Sequence, residues 1–142
     1  MYLCRLYYTS LPHITYLTFK KIVESLKLVT HRANSVVIGG SHNGGMPIAV
    51  MLESDAEKGG FDMTFTLCHR YTPLPTLTAA CLNANLIVSA AGVPGMVKDG
   101  AAVVDVGLSR IKNDKGRNVV MGDVMKDVRR VAGVVTPFKT NC

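Results

Sequence analysis

A glycine-rich loop is the feature of this sequence with the clearest chemical meaning. It follows the short β-branched run of residues 36–38, and it consists of Gly39, Gly40, Ser41, His42, Asn43, Gly44, Gly45 and Met46, followed by Pro47. Glycines in such a loop allow a tight turn, a close approach of the backbone to a pyrophosphate, and close packing of the next helix on its strand. Free amides at the start of that helix then bind the phosphates. Because Ser41 takes the middle position of G-x-G-x-x-G, a dinucleotide site and a plain glycine-rich turn both remain open.

The cysteines and histidines do not form a metal-binding pattern. The four cysteines are Cys4, Cys68, Cys81 and Cys142, and no two of them have C-x-x-C spacing. Zinc spacing is therefore absent, and a disulfide framework is not expected in so apolar a chain. We predict that Cys68 and Cys81 are reduced core residues. We assign no metal to the isolated pair Cys68-His69, and His69 is either a site residue or a packed core histidine.

Short apolar runs alternate with helical stretches after residue 35, and the glycine loop lies in this region. The pattern predicts strands at residues 36–38, 62–68, 86–88, 101–106 and 134–136. It predicts helices at residues 20–29, 47–54, 72–82 and 123–130, with a polar connection at 31–35. This alternation indicates βαβ units, so the predicted fold class is α/β: a Rossmann-like parallel sheet with helices on both faces. Ligands bind such sheets beyond the carboxyl ends of the strands.

Composition narrows the classes of function. The 142 residues suit one domain, with 48% hydrophobic residues and a net charge of +6 from 16 basic and 10 acidic residues. The charges are scattered rather than arranged in a basic stripe, which argues against nucleic-acid binding. No apolar run is long enough to span a membrane. The first 23 residues contain no acidic residue, which is typical of a mitochondrial transit peptide, but an arbitrary N-terminus gives the same composition.

Several motifs, in a fixed order, resemble one enzyme family. They are residues 37–49 (V-I-G-G-S-H-N-G-G-M-P-I-A), 68–73 (C-H-R-Y-T-P), 89–94 (S-A-A-G-V-P), 100–110 (G-A-A-V-V-D-V-G-L-S-R), 122–124 (G-D-V) and 135–137 (V-T-P). The order and spacing resemble the NAD(P)-binding domain of the methylenetetrahydrofolate dehydrogenase/cyclohydrolase family, most closely its mitochondrial NAD-dependent branch. Family members oxidise 5,10-methylenetetrahydrofolate with NAD or NADP and hydrolyse the methenyl product. They are usually homodimers.

The resemblance implies a set of cofactor-binding residues. Gly39, Gly40, Ser41 and His42 would line the phosphates and ribose, with Gly45 and Pro47 opening the next helix. Arg70, at the end of the second strand, would lie beside the adenosine ribose or a bound phosphate, where a guanidinium grips phosphate with two hydrogen bonds. The nicotinamide would lie near Gly92, Gly107 and Leu108. The cofactor would be NAD or NADP, with magnesium and phosphate as further ligands of the mitochondrial branch.

The chain departs from the family pattern at specific positions. Gly40 replaces an arginine that would hold phosphate, and Gly44 replaces a valine. Asp62 matches an acidic position tied to magnesium, but without its arginine partner it reads equally well as a polar residue that opens a strand. Tyr16 and Lys20 have the spacing of the family's catalytic Tyr-x-x-x-Lys motif. We interpret that spacing as coincidence and name no catalytic residue.

These observations divide the chain into an atypical segment at residues 1–35, an NAD(P)-binding domain at 36–137 and a short tail at 138–142. The catalytic folate domain is expected to be largely absent, so folate would bind only if a catalytic half were supplied. Two functions remain open. The first is the dinucleotide-binding domain of the family enzyme, mitochondrial or alternatively cytoplasmic, with little activity alone. The second is a non-catalytic interaction protein that dimerises with full-length family members. A homo-oligomer is expected in either case.

Overall fold

The computed structural model describes residues 13–40, 44–89, 96–106, 109–112, 118–121, 128 and 130–136. Its helices are α1 (His13–Ser25), α2 (Gly45–Glu53) and α3 (Leu74–Asn83), and a 3₁₀ turn covers Ala56–Lys58. Its strands are β1 (Asn34–Ile38), β2 (Thr64–Cys68), β3 (Leu86–Ser89), β4 (Ala102–Asp105), β5 (Ser109–Lys112), β6 (Asn118–Met121) and β7 (Val134–Val135). No described helix has the length and apolar character required to cross a membrane.

Five strands form a parallel sheet in the order β2-β1-β3-β4-β7. The chain adds β2 on one side of β1 and then crosses to add β3 on the other side, so the order reverses between β1 and β3. Strands β1, β3 and β4 are rich in Val and Ile and nearly fully buried, as expected for a parallel sheet covered on both faces. The predicted α/β Rossmann-like fold is confirmed.

Helices cover both faces of this sheet. On one face, Phe19 and Val23 of α1 are 2% exposed and pack in one cluster with Val37 of β1 and Ile48 and Leu52 of α2. On the other face, a second cluster joins Val36 and Ile38 of β1 to Cys81 of α3 and to Ile87 and Val103. Successive residues of β1 enter opposite clusters because side chains alternate along a strand.

The first helix differs from its predicted bounds. The apolar spacing predicted residues 20–29, whereas α1 spans His13–Ser25. The helix ends early because Lys27 adopts a left-handed φ of 49° and its N–H bonds the Glu24 carbonyl in a closing turn. Strand β1 also begins at Asn34, inside the predicted polar connection. Ser35 is buried there, and its Oγ donates to the Thr64 carbonyl of β2 at 3.1 Å.

The sequence did not predict strands β5 and β6. They form a separate antiparallel pair with Ser109 opposite Met121 and Lys112 opposite Asn118. Most of the helix predicted at residues 123–130 lies outside the described residues. The other predicted strands and helices are present, with ends displaced by one to a few residues.

Candidate functional site

The reversal of strand order places the glycine loop at the position where open α/β sheets bind ligands. Ile38, the last residue of β1, pairs with Cys68 at the end of β2 and with Ser89 at the end of β3. The segments that follow these strands therefore leave the sheet at one edge. The Gly39 N–H also donates to the Cys68 carbonyl at 2.8 Å, which ties the start of the glycine loop to the end of β2.

Gly45 sets the distance between this loop and helix α2. A Cβ at position 45 would overlap the Gly39 carbonyl oxygen, and it would lie 2.8 Å from the Gly39 carbonyl carbon and 3.3 Å from Val37 Cγ1. Gly39 itself has a φ of 103°, which favours glycine. These are two of the three roles that glycines play in a dinucleotide loop: the tight turn and the close packing of helix on strand.

The N-cap residue of α2 is Gly44, which has no side chain of its own with which to cap the first amides of the helix. Pro47, in the first turn, is buried with Gly45, so these two residues fix where the helix begins. The amides and the dipole at the N-terminus of a helix favour a negatively charged ligand.

Gly40 differs from Gly39 and Gly45 because no contact with the described residues requires glycine there. It is exposed, its φ is not in the left-handed region, and an added Cβ would make ordinary contacts of 3.4 to 3.7 Å with the Leu67 side chain. Among the described residues, position 40 therefore has room for a Cβ, the first atom of the arginine side chain that the resemblance implies there.

The segment after β2 forms a closed turn of residues 69–72, which we call the β2 turn. Thr72 Oγ1 accepts the His69 N–H at 2.9 Å, and the Thr72 N–H donates to the His69 carbonyl at 2.8 Å. His69 Nδ1 accepts the Tyr71 N–H at 3.1 Å. His69, Arg70 and Tyr71 are all exposed. The interpretation of His69 as a packed core histidine is therefore wrong, since its ring organises a surface turn.

The side chains of the β2 turn contact one another. The Arg70 guanidinium carbon lies 4.9 Å from the centre of the Tyr71 ring, in a cation–π arrangement. The His69 ring meets Tyr71 edge on, with centroids 6.1 Å apart. Arg70, the predicted phosphate ligand, thus has a defined position at the same edge of the sheet as the glycine loop. Tyr71 and Thr72 were not predicted as site residues, although both lie in the C-H-R-Y-T-P motif at residues 68–73.

Asp62 lies far from this edge. It precedes β2, at the amino end of the strand, whereas Arg70 follows the carboxyl end. One carboxylate oxygen accepts the Ala56 N–H at 3.2 Å, and Asp62 has a left-handed φ of 51°. The residue closes the loop between α2 and β2. Across the part of the chain that the structure describes, no three His, Cys, Asp or Glu residues form a group suited to a metal ion.

Cys68 and Cys81 are buried free thiols, which confirms the prediction that they are reduced core residues. Burial raises the pKa of Cys68 above its ordinary value of 9.0, against the opposing effect of a hydrogen bond with Thr72. Burial also raises the pKa of Cys81 to about 11, and Cys68 adds to that rise. Both thiols stay protonated near neutral pH, so neither is an activated nucleophile.

The sequence-predicted site is thus assembled in part. The structure brings Gly39, Gly40, Gly45, Pro47 and Arg70 to one edge of the sheet. Ser41, His42, Gly92, Gly107 and Leu108 lie outside the described residues. Lys20 of α1 is 3.9 Å from Glu24 in an i,i+4 ion pair, an ordinary helix-surface contact.

The comparisons with known proteins agree on one family. The model of the tetrahydrofolate dehydrogenase/cyclohydrolase NAD(P)-binding domain matches residues 14–141. The mitochondrial bifunctional methylenetetrahydrofolate dehydrogenase/cyclohydrolase of Drosophila melanogaster is 43% identical over 132 residues, covering 87% of this chain and 43% of that protein. The mitochondrial bifunctional methylenetetrahydrofolate dehydrogenase/cyclohydrolase 2 of Homo sapiens is 40% identical over 126 residues, covering 82% of this chain and 36% of that protein.

Solved structures agree with the sequence relatives. A methylenetetrahydrofolate dehydrogenase from the silkworm Bombyx mori aligns with a TM-score of 0.72 and 43% identity, covering 87% of this chain and 42% of that one. The Trypanosoma brucei dehydrogenase-cyclohydrolase, solved with NADP cofactor and an inhibitor, aligns with a TM-score of 0.74 and 30% identity, covering 89% and 43%. The chain spans less than half the length of these relatives. It belongs to the tetrahydrofolate dehydrogenase/cyclohydrolase family and corresponds to that family's NAD(P)-binding domain.

Proposed function

We propose that this chain binds a nicotinamide dinucleotide at the edge formed by the glycine loop and the β2 turn. The observation that carries the proposal is the close approach of Gly45 to the Gly39 backbone, since it places the start of α2 at the switch point of the sheet. The Trypanosoma brucei relative, which was solved with NADP, supports the same class of ligand.

Charge at this edge suits the phosphates of a dinucleotide. The amides that begin α2 offer hydrogen bonds and the positive end of a helix dipole. Arg70 adds an exposed guanidinium at the end of the neighbouring strand, where it is held against Tyr71. In the proposed complex, the tight turn at Gly39 lets the backbone approach the pyrophosphate, and Gly40 lines the phosphates through its main chain. Arg70 contacts the ribose or a phosphate on it. Ser41, His42, Gly92, Gly107 and Leu108 complete the proposed cofactor contacts.

The reaction we propose is that of the family: oxidation of 5,10-methylenetetrahydrofolate, followed by hydrolysis of the methenyl product. The dinucleotide, NAD or NADP, supplies the hydride acceptor when it is bound. Hydride transfer needs the folate held against the nicotinamide, and such positioning supplies much of the rate of an enzyme. We assign no catalytic residue to this chain, so we expect little turnover unless a folate-binding half is supplied.

Calorimetric titration of the folded chain with NAD and with NADP tests the proposal. Binding in the micromolar range supports it. Replacing Arg70 by Gln removes a charged hydrogen bond, so NADP binding should weaken about tenfold. Lys21→Gln is the matched control, because it removes one exposed cation from α1 and should leave the affinity unchanged. A folded chain that binds neither dinucleotide contradicts the proposed function. Titrations with and without magnesium and phosphate show whether these ions take part.

The second candidate is an interaction protein that pairs with a full-length relative or with its own copy, and one observation favours it. The stretch of residues 71–85 contains no charged side chain, although it includes the surface helix α3. Leu74 and Leu82 on that helix are 62% and 51% exposed. Large apolar side chains exposed on a helix without charged residues are a feature of interaction surfaces.

Sedimentation of the chain, alone and mixed with a full-length relative such as the Drosophila enzyme, tests this second candidate. A complex should form, and Leu82→Lys should weaken it. Leu17→Lys is the control, because Leu17 is equally exposed, at 51%, but lies on α1. A chain that stays monomeric in both experiments contradicts the candidate.

Two further assignments accompany the proposal. The relatives from Drosophila and human are mitochondrial proteins, and we infer the same compartment for this chain. The NAD(P)-binding domain, placed at residues 36–137 on sequence grounds, is proposed to include α1 as well, since Phe19 and Val23 share the core of the sheet. Microscopy of a fluorescently tagged chain tests the compartment. Limited proteolysis tests whether α1 is protected together with the rest of the domain.

A further inference from the structure

The β2 turn keeps its shape through its own hydrogen bonds. Bonds between His69 and Thr72 close it from both directions, and the His69 imidazole accepts the Tyr71 N–H. These bonds bracket Arg70. The turn therefore presents its three exposed side chains in one fixed arrangement, and little conformational freedom is left to lose when a ligand binds.

Tyr71 is the unusual member of this turn. The Arg70 guanidinium lies over the Tyr71 ring, and the His69 ring packs against the same ring in an edge arrangement. Tyr71 is nevertheless 75% exposed. An aromatic ring that is ordered by its neighbours but open to solvent is suited to stacking against a flat ligand. Stacking of a nucleobase on an aromatic side chain is favourable for any base, because every base has a π-face.

The location of Tyr71 indicates which part of a dinucleotide it meets. In dinucleotide folds the residue that reads the adenosine ribose follows the glycine loop by about 20 residues, at the end of the second strand. Arg70 and Tyr71 directly follow β2, so they lie on the adenosine side of the site. In NAD-binding folds a carboxylate in this region accepts a hydrogen bond from the 2′-hydroxyl of the adenosine ribose. The β2 turn instead provides the cation Arg70.

We propose that Tyr71 stacks on the purine base of the bound cofactor. This inference rests on the proposed dinucleotide site. The base covers the part of the Tyr71 ring that Arg70 leaves open, while the Arg70 guanidinium reaches the ribose or its phosphate. His69 is a positioning residue: its Nδ1 acceptor holds the Tyr71 backbone and does not touch the cofactor.

Binding of NADH and of reduced nicotinamide mononucleotide, which lacks the adenosine half, tests this proposal on the full chain. Tyr71→Leu should weaken NADH binding about tenfold, within the range measured for base stacking on aromatic side chains. Tyr71→Phe keeps the ring and should bind NADH as the wild type does. All three proteins should bind the mononucleotide equally. Because Tyr71 is exposed, the substitutions should leave the melting temperature unchanged.

The role of His69 is tested by rescue. His69→Leu removes the acceptor and should weaken NADH binding without changing the affinity for the mononucleotide. His69→Asn offers a side-chain oxygen near the position of Nδ1 and should restore NADH binding. If His69→Asn binds NADH no better than His69→Leu does, His69 is not a positioning residue.

The outcomes separate this inference from the proposed function. If the wild type binds NADH and Tyr71→Leu binds it equally well, the purine-stacking surface is wrong and the dinucleotide site stands. If Tyr71→Leu loses affinity for NADH and the mononucleotide alike, the loss is a general distortion and the inference is again wrong. If the folded wild type binds neither, both proposals are wrong.

Discussion

Replacing Gly45 by Ala should damage both stability and cofactor binding. The added methyl would overlap the Gly39 carbonyl oxygen and lie 2.8 Å from the carbonyl carbon. These are backbone atoms, which cannot rotate away as a side chain does. Overpacking costs about 1–3 kcal/mol, and we expect the upper end here because helix α2 must move off its strand. For a domain of this size, about 3 kcal/mol corresponds to a fall of roughly 10 °C in melting temperature.

The same displacement moves the first amides of α2 away from the bound phosphates. Loss of one hydrogen bond to a charged group costs about 1.5–3 kcal/mol, so NADH should bind at least tenfold more weakly. Gly40→Ala is the matched control, since its methyl would meet Leu67 at an ordinary 3.4 Å. Thermal melts and NADH titrations of both variants check the argument. A Gly45→Ala protein with unchanged melting temperature and affinity would refute the proposed role of this contact.

Three further outcomes follow from individual residues. Asp62→Asn should keep the hydrogen bond to Ala56 and the wild-type melting temperature, whereas Asp62→Ala should lose about 1–2 kcal/mol; a magnesium-dependent loss in the Asn variant would contradict the structural role. Gly40→Arg should leave the melting temperature unchanged and tighten NADP binding about tenfold, which calorimetry measures. Above pH 9.0 the unfolded Cys81 thiol ionises while the buried one, with a pKa of about 11, stays neutral. Raising the pH from 9.0 to above about 11 should therefore lower the free energy of unfolding by up to about 3 kcal/mol. In urea titrations, the free energy of unfolding of Cys81→Val should depend less on pH than that of the wild type.

The central strands could be predicted because their composition leaves few alternatives. Val36, Val37 and Ile38 are β-branched, end at glycine and are too few to form a helix, and a parallel sheet buried on both faces favours such runs. The dinucleotide loop was recognisable for the same reason, since its glycines have physical roles. The sequence could not say which glycine has which role. Only the distances around Gly45 and Gly40 separate a glycine that the fold requires from one that it does not.

The predictions that failed depend on contacts beyond the local pattern. The end of α1 is set by the left-handed conformation of Lys27, which apolar spacing does not reveal. The antiparallel pairing of β5 with β6 joins two segments of four residues each, which are too short to show a clear period in the sequence. His69 follows an apolar strand, so a buried position was a reasonable alternative, but the imidazole turns outward to accept the Tyr71 N–H.

The contrast between Gly40 and Gly45 bears on how this site holds an anion. The resemblance implies an arginine at position 40, and the described residues around Gly40 leave room for a Cβ there. The fold therefore gains nothing from glycine at that position, while the backbone geometry at Gly39 and Gly45 is intact. In the proposed complex, anion binding at this edge rests on the first amides of α2 and on Arg70, whose guanidinium lies over the Tyr71 ring. Because main-chain dipoles do not depend on side-chain charges, we expect the proposed site to keep the main-chain contacts that orient the pyrophosphate without an arginine at position 40.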